Sequence, residues 1–175
     1  MHSPTWLSAL LVAVFTAGVP LAVPGADPDT DLAARLQVLE DREAIRELLI
    51  EYGRTLDERD FEAFSKLFSS NGGEWNGGMG VARGPAEIRE MMENTIGRNT
   101  LGINAPNFHI FNNETIEVDG DTATAVSKWS FIVQGDDQRP QWVYLGHYHD
   151  KLVRENGIWK FRQRVVTGAI PGADR

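Results

Sequence analysis

The chain has no cysteine among its 175 residues. Disulfide bridges, thiolate chemistry and lipid attachment through cysteine are therefore excluded together. Basic residues are also in deficit: 17 Lys and Arg stand against 25 Asp and Glu, for a formal net charge of −8. A phosphate-tracking surface needs a basic stripe, and no Lys/Arg cluster is present, so nucleic acid is excluded as a partner. No Gly-x-Ser-x-Gly motif, internal repeat or low-complexity tract occurs. What remains is ordinary for a globular protein, 42% hydrophobic and 24% charged, with enough length for one closed core.

The N-terminal stretch "LSALLVAVFTAGVPLAV" is apolar and uncharged, and "PGADPDTD" follows it. That profile predicts a signal peptide over residues 1–26 and a linker over 27–32, although the leading "MHSPTW" lacks Lys and Arg. A retained N-terminal anchor is the alternative, and export, to periplasm or medium, follows under either. With the signal removed, no stable membrane contact is expected. The folded domain is expected over 33–170, with a short tail after it.

From Asp31 the pattern turns helical. Leu32, Leu36, Leu39, Ile45, Leu48, Leu49 and Tyr52 recur at three- and four-residue steps and read as one buried stripe, with Thr30 or Asp31 as cap. "ERDFEAFSKLF" predicts a short second helix capped by Asp60, with Phe61, Phe64 and Phe68 inward. The glycine-rich "SSNGGEWNGGMGVARG" predicts a loop holding a short strand. A third helix restarts at Pro85, burying Ile88, Met91, Met92 and Ile96.

After Gly102 the period becomes two. Segments 107–118, 122–134, 141–154 and 158–166 are rich in β-branched and aromatic residues. Asp-Gly in "VDGDT" and Asn-Gly in "RENGIW" supply the positive φ of tight hairpins. Helices followed by an antiparallel meander predict an α+β domain. Strands that are apolar on both faces, as at Trp129, Phe131, Ile132 and Val133, predict a homo-oligomer formed through the sheet.

The opening "LEDREAIRELLIEYGRTLDERDFEAFSKLF" and the closing "GHYHDKLVRENGIWKFRQRVV" resemble SnoaL-like proteins of the superfamily named after nuclear transport factor two. The resemblance spans about residues 33–167 and implies a cone-shaped barrel, in which a curved antiparallel sheet wraps N-terminal helices and encloses a pocket. Members include polyketide cyclases, scytalone dehydratase and hexachlorocyclohexane dehydrochlorinase. In the latter two, an Asp near the end of the first helix pairs with a His on a strand. The matching positions here are Asp57 in "RTLDERD" and His109 in "NFHIF". The second pocket histidine of scytalone dehydratase has no counterpart in "ATAVSKWSFIVQ". Arg154 is a possible counterpart of a basic residue in the dehydrochlorinase.

A carboxylate accepting from one imidazole nitrogen fixes the tautomer and frees the other nitrogen as a base. The plain alternative is a turn aspartate and a satisfied core histidine. His147 and His149 share one strand face, but Asp150 points the other way and no third ligand is evident, so no metal site is assigned. Glu74, with Trp75 in the glycine-rich loop, is a further pocket candidate, and Asn113-Glu114-Thr115 is a glycosylation sequon. The expected function is cofactor-independent acid-base chemistry of the lyase, dehydratase or isomerase type on a small apolar or aromatic molecule. Asp57 and His109 are the catalytic candidates; Tyr52, Trp75, Trp129, Tyr144, Tyr148 and Arg164 are the candidates to line the pocket. A non-catalytic exported ligand-binding protein, or a dimeric interaction module, is the alternative.

Overall fold

The computed structural model describes residues 28–100 and 106–170; the expected signal segment and the C-terminal tail lie outside them. Helix α1 (Pro28–Asp57) leads into the short α2 (Phe61–Ser65). Strands β1 (Glu74–Gly77) and β2 (Gly80–Arg83) form a small hairpin, and α3 (Gly84–Met92) runs into a π-helical turn over Glu93–Gly97. Four long strands complete the chain: β3 (Asn107–Asp119), β4 (Thr122–Gln134), β5 (Pro140–Glu155) and β6 (Ile158–Ile170). The sheet order is β2-β1-β6-β5-β4-β3. It is mixed rather than purely antiparallel, because β1 pairs parallel to β6. The sheet is open, with β2 and β3 at its edges.

The inner face follows from alternation. Ala123, Ala125, Ser127, Trp129 and Phe131 of β4 are buried, as are Gly146, Tyr148, Asp150 and Leu152 of β5. Irregular registers between Asn112 and Thr115, Phe131 and Ile132, Leu145 and Gly146, and Lys151 and Leu152 interrupt three strand pairs. Such bulges bend a sheet and sharpen its twist. Asn113, of the sequon, falls in the first of these and has a φ of 52°. Both hairpins turn as their sequences require, with Gly120 at φ 57°, and Asn156 and Gly157 at 52° and 80°.

Helix α1 lies in the concavity. Ile45, Leu48, Leu49, Tyr52 and Leu56 are buried there with Phe61, Phe64 and Phe68, while Ile88 and Met92 close the base from α3. Met91 and Ile96 are only partly buried. The helix ends in a Schellman motif: Asp60 N–H donates to Thr55 O at 2.9 Å, and Arg59 N–H to Leu56 O at 3.2 Å. Arg59 takes the left-handed position, and its guanidinium donates to the carbonyls of Leu56 and Asp57. Asp60 then caps α2, accepting from Ala63 N–H at 2.9 Å.

Besides the mixed sheet and the partly buried Met91 and Ile96, three more features differ from the sequence reading. Helix α1 is already formed at Pro28, so most of the expected linker is helical and neither Thr30 nor Asp31 is its cap. The loop after Phe68 carries two strands rather than one. Most telling, Leu32, Leu36 and Leu39 are 60%, 54% and 60% exposed. At 3.6 residues per turn, Ile45, Leu48 and Tyr52 fall within about 40° of Asp41, whereas those three leucines fall about 160–220° away. They form a second stripe on the opposite side of the helix, and every residue from Asp31 to Glu40 is exposed.

Candidate functional site

Close approach of α1 to β3 builds the site. Gly53 makes it possible: a Cβ there would lie 2.7 Å from Phe111 Cε2 and 3.5 Å from His109 Cβ. Asp57 follows one turn later on the same helix face, and so meets the edge of β3. Its Oδ1 lies 2.6 Å from His109 Nδ1 and accepts from Asn107 Nδ2 at 2.6 Å. Its Oδ2 accepts from the backbone N–H of His109 at 2.9 Å. An ionised carboxylate only accepts, so a neutral ring in this contact carries its proton on Nδ1 and leaves Nε2 as the free acceptor. The two side chains are 11% and 19% exposed, His109 and Asp57 respectively, shielded yet reachable. Asn107 Oδ1 is buried with no partner among the described residues.

Register places an aromatic surface beside the imidazole. His109 pairs with Phe131, which pairs with Tyr144; one step along, Phe111 pairs with Trp129, which pairs with Gly146. Directly opposite residues share a face, so these side chains line the concave side together. His109 and Phe131 rings are 4.6 Å apart. Trp129 lies over Gly146, where a Cβ would come within 2.7 Å of Nε1, and its ring is 6.5 Å from Tyr144 and 5.6 Å from Tyr148. The Nε1 donor is buried and unpartnered among the described residues. Tyr144 stays half-exposed at the rim.

The other pocket candidates sit deeper and bind one another. Arg164 is fully buried, donating from Nε and Nη2 to the two carboxylate oxygens of Asp150 at 2.8 and 2.7 Å. Its guanidinium is stacked 4.0, 4.1 and 4.2 Å from the rings of Tyr52, Tyr148 and Phe161. Burial alone would push the Arg164 pKa down, but the Asp150 charge and hydrogen bonds outweigh it and raise it. Burial raises both Tyr52 and Tyr148, which keeps the phenols neutral. Trp75 is on β1 rather than in a loop, buried, donating Nε1–H to Tyr52 Oη at 2.9 Å. Glu74 accepts from Gln163 and pairs with Arg83 at the sheet surface.

Arg154 does not join this group. It binds Asp41 at 2.7 Å and stacks 4.7 Å over Trp159, at the far end of β5. Sequence spacing could not reveal that, because Asp41 lies 113 positions away in the chain. Asn107 and Gly53 were missed as well. Their signals are present: Asn107 is two residues before His109 on one strand face, and Gly53 one helical turn before Asp57. His147 and His149 lie on the outer face with rings 6.3 Å apart. Among the described residues, no group of three or more metal-ligating side chains is assembled. One surface depression, about 670 Å³, lies at the β3–β4 hairpin end, and another lies against α2 and α3; neither of these is lined by Asp57 or His109.

Helices held in a curved, open sheet, with a carboxylate–imidazole contact at its edge, define the class of cone-shaped α+β proteins. Residues 37–165 match the model of the SnoaL-like domain, and the chain belongs to that family. An NTF2-like protein with a cystatin-like fold from Novosphingobium aromaticivorans is 31% identical, with a TM-score of 0.74 over 85% of this chain and 95% of that one. A putative scytalone dehydratase from the same organism is 25% identical, with a TM-score of 0.63 over 75% and 85%. An uncharacterized protein of Mycobacterium tuberculosis is 27% identical over 134 residues, covering 74% of this chain and 86% of its own.

Proposed function

We propose that this chain is a cofactor-independent acid-base enzyme of the lyase, dehydratase or isomerase type, acting on a small apolar or aromatic molecule. One observation carries this reading: the 2.6 Å contact between His109 Nδ1 and Asp57 Oδ1, which leaves Nε2 beside Phe131 and the aromatic face. His109 Nε2 would take a proton from carbon. The C–H electron pair becomes the new double bond as a hydroxyl or halide leaves from the neighbouring carbon. The imidazolium then returns its proton to the departing hydroxyl, or to water when a halide leaves as its anion. In an isomerase nothing leaves; the C–H pair shifts into conjugation and the proton goes back to another carbon. Asp57 holds the ring and offsets the charge that forms on it. The likeness to a putative scytalone dehydratase supports the class of reaction and no particular substrate.

5-Nitrobenzisoxazole tests this directly, because removal of its one reactive C–H proton opens the ring to a coloured phenolate. Loss of a positioned base costs on the order of 10²–10⁴-fold. His109→Gln should therefore lower the turnover rate by at least about 100-fold, and Asp57→Asn by an intermediate factor. Wild-type turnover no faster than His109→Gln would overturn the assignment.

Export is part of the same proposal, supported by the apolar, uncharged N-terminal stretch. So is self-association through the outer sheet face. Phe108, Ile110, Trp142 and Ile170 are 56%, 41%, 58% and 61% exposed there, and register sets Phe108, Ile132 and Trp142 in one row and Ile110, Leu145 and Ile170 in the next.

A further inference from the structure

The leucine stripe that faces away from the core has a heptad pattern. Leu32, Leu39 and Arg46 fall at d, and Leu36, Glu43 and Ile50 at a. The flanking positions are sorted by charge: g holds Arg35 and Arg42, and e holds Glu40 and Glu47. The rest of α1 spends its charges within the chain. Arg46 binds Glu43 and Glu114, and Arg54 binds Glu51 and Glu58. Arg42, Glu40 and Glu47 have no ion-pair partner among the described residues, and Arg35 reaches only Asp31, at 3.8 Å.

We propose that the first half of α1 is a docking stem for a second copy of this chain, with the two α1 helices parallel and in register along Leu32, Leu36 and Leu39. Charge decides both occupant and direction. In a parallel pair, g of one helix meets the following e of the other, which sets Arg35 against Glu40 on both sides of the Leu32–Leu39 seam. In an antiparallel pair, g meets g and e meets e, so like charges face each other along both flanks. The seam matches its own copy in one orientation only. Three leucines make a short contact, so the association belongs to the weak class, and the ion pairs set register more than affinity. Back-to-back sheets would hold the two α1 helices on opposite outer sides, so this contact is separate from the sheet face.

The cysteine-free chain suits a capture experiment. Leu32→Cys, Leu39→Cys and the control Ala34→Cys, on the opposite side of the helix, would each be made in the full chain and oxidised at equal concentration. Leu32→Cys and Leu39→Cys should each form disulfide-linked dimers at least about ten times faster than Ala34→Cys, since equivalent d residues face each other in a parallel pair. Adding Arg35→Glu or Glu40→Arg to Leu39→Cys should slow capture, and mixing those two double variants should restore it as a heterodimer. A lesion in folding would not be rescued by mixing. Capture at only one of the two leucine positions, or at rates equal to the control, would overturn the proposal; the first indicates another orientation, the second a stripe covered otherwise or by nothing.

Discussion

His109 and Asp57 are joined twice, ring nitrogen to Oδ1 at 2.6 Å and backbone N–H to Oδ2 at 2.9 Å. The double contact fixes the strand as well as the imidazole, so the ring cannot turn without losing its partner. In nitrogen NMR spectra at about pH 8, where a free imidazole is neutral, the wild-type ring should show one tautomer, protonated at Nδ1. Asp57→Asn should show a mixture. A mixture in the wild type would mean that the carboxylate does not hold the ring.

Gly53 sets how closely the helix carrying Asp57 approaches β3. Gly53→Ala would add a methyl that lies 2.7 Å from Phe111, and overpacking of this kind costs about 1–3 kcal/mol. Thermal unfolding should therefore begin several degrees lower, and the tautomer preference of His109 should weaken in the same variant. An unchanged melting temperature would show that helix and strand have slack at this point.

The buried pair Arg164–Asp150 predicts an asymmetric mutational response. Asp150→Asn leaves a guanidinium in the core without its counter-charge and should cost about 3–5 kcal/mol. Replacing both together, as Arg164→Met with Asp150→Leu, should recover most of that loss. Denaturant titration of the three proteins checks this; a double variant less stable than Asp150→Asn would assign Arg164 a role beyond its pair.

Asp41 predicts a pH dependence. Burial pushes its carboxyl up, but hydrogen bonds from Arg154, Trp159 and Gln37 outweigh that and hold it below the ordinary value. A depressed folded pKa contributes stability above the unfolded value, and that contribution is lost as pH falls through the folded one. Asp41→Asn should be less stable than wild type at pH 7 by roughly 2 kcal/mol, and the gap should close as pH falls below about 4. A gap independent of pH would mean that packing, not charge, holds this corner.

The four long strands were legible to within a few residues because alternation and Asp-Gly or Asn-Gly turns act locally. The pairing of Asp57 with His109 was legible through family resemblance, since no local rule links positions 52 residues apart. Arg154 went astray because its partner, Asp41, is set by how α1 crosses the last hairpin. The leucines at 32, 36 and 39 were assigned to the wrong side because three- and four-residue steps reveal that a stripe exists, not which surface it meets. Phase along the helix separates the two stripes, and it could have been read from the sequence.

The open edge of the sheet has a consequence of its own. β3 ends the sheet, and an end strand with unused N–H groups is a template on which a foreign strand can stack. Asp57 occupies one of those groups, that of His109, and so guards the border as well as the imidazole. Removing the carboxylate with Asp57→Ala would do two things at once, freeing the imidazole to turn and baring a place for aggregation to start. Asparagine keeps an acceptor oxygen at that border, so Asp57→Asn separates loss of the charge beside the ring from loss of solubility.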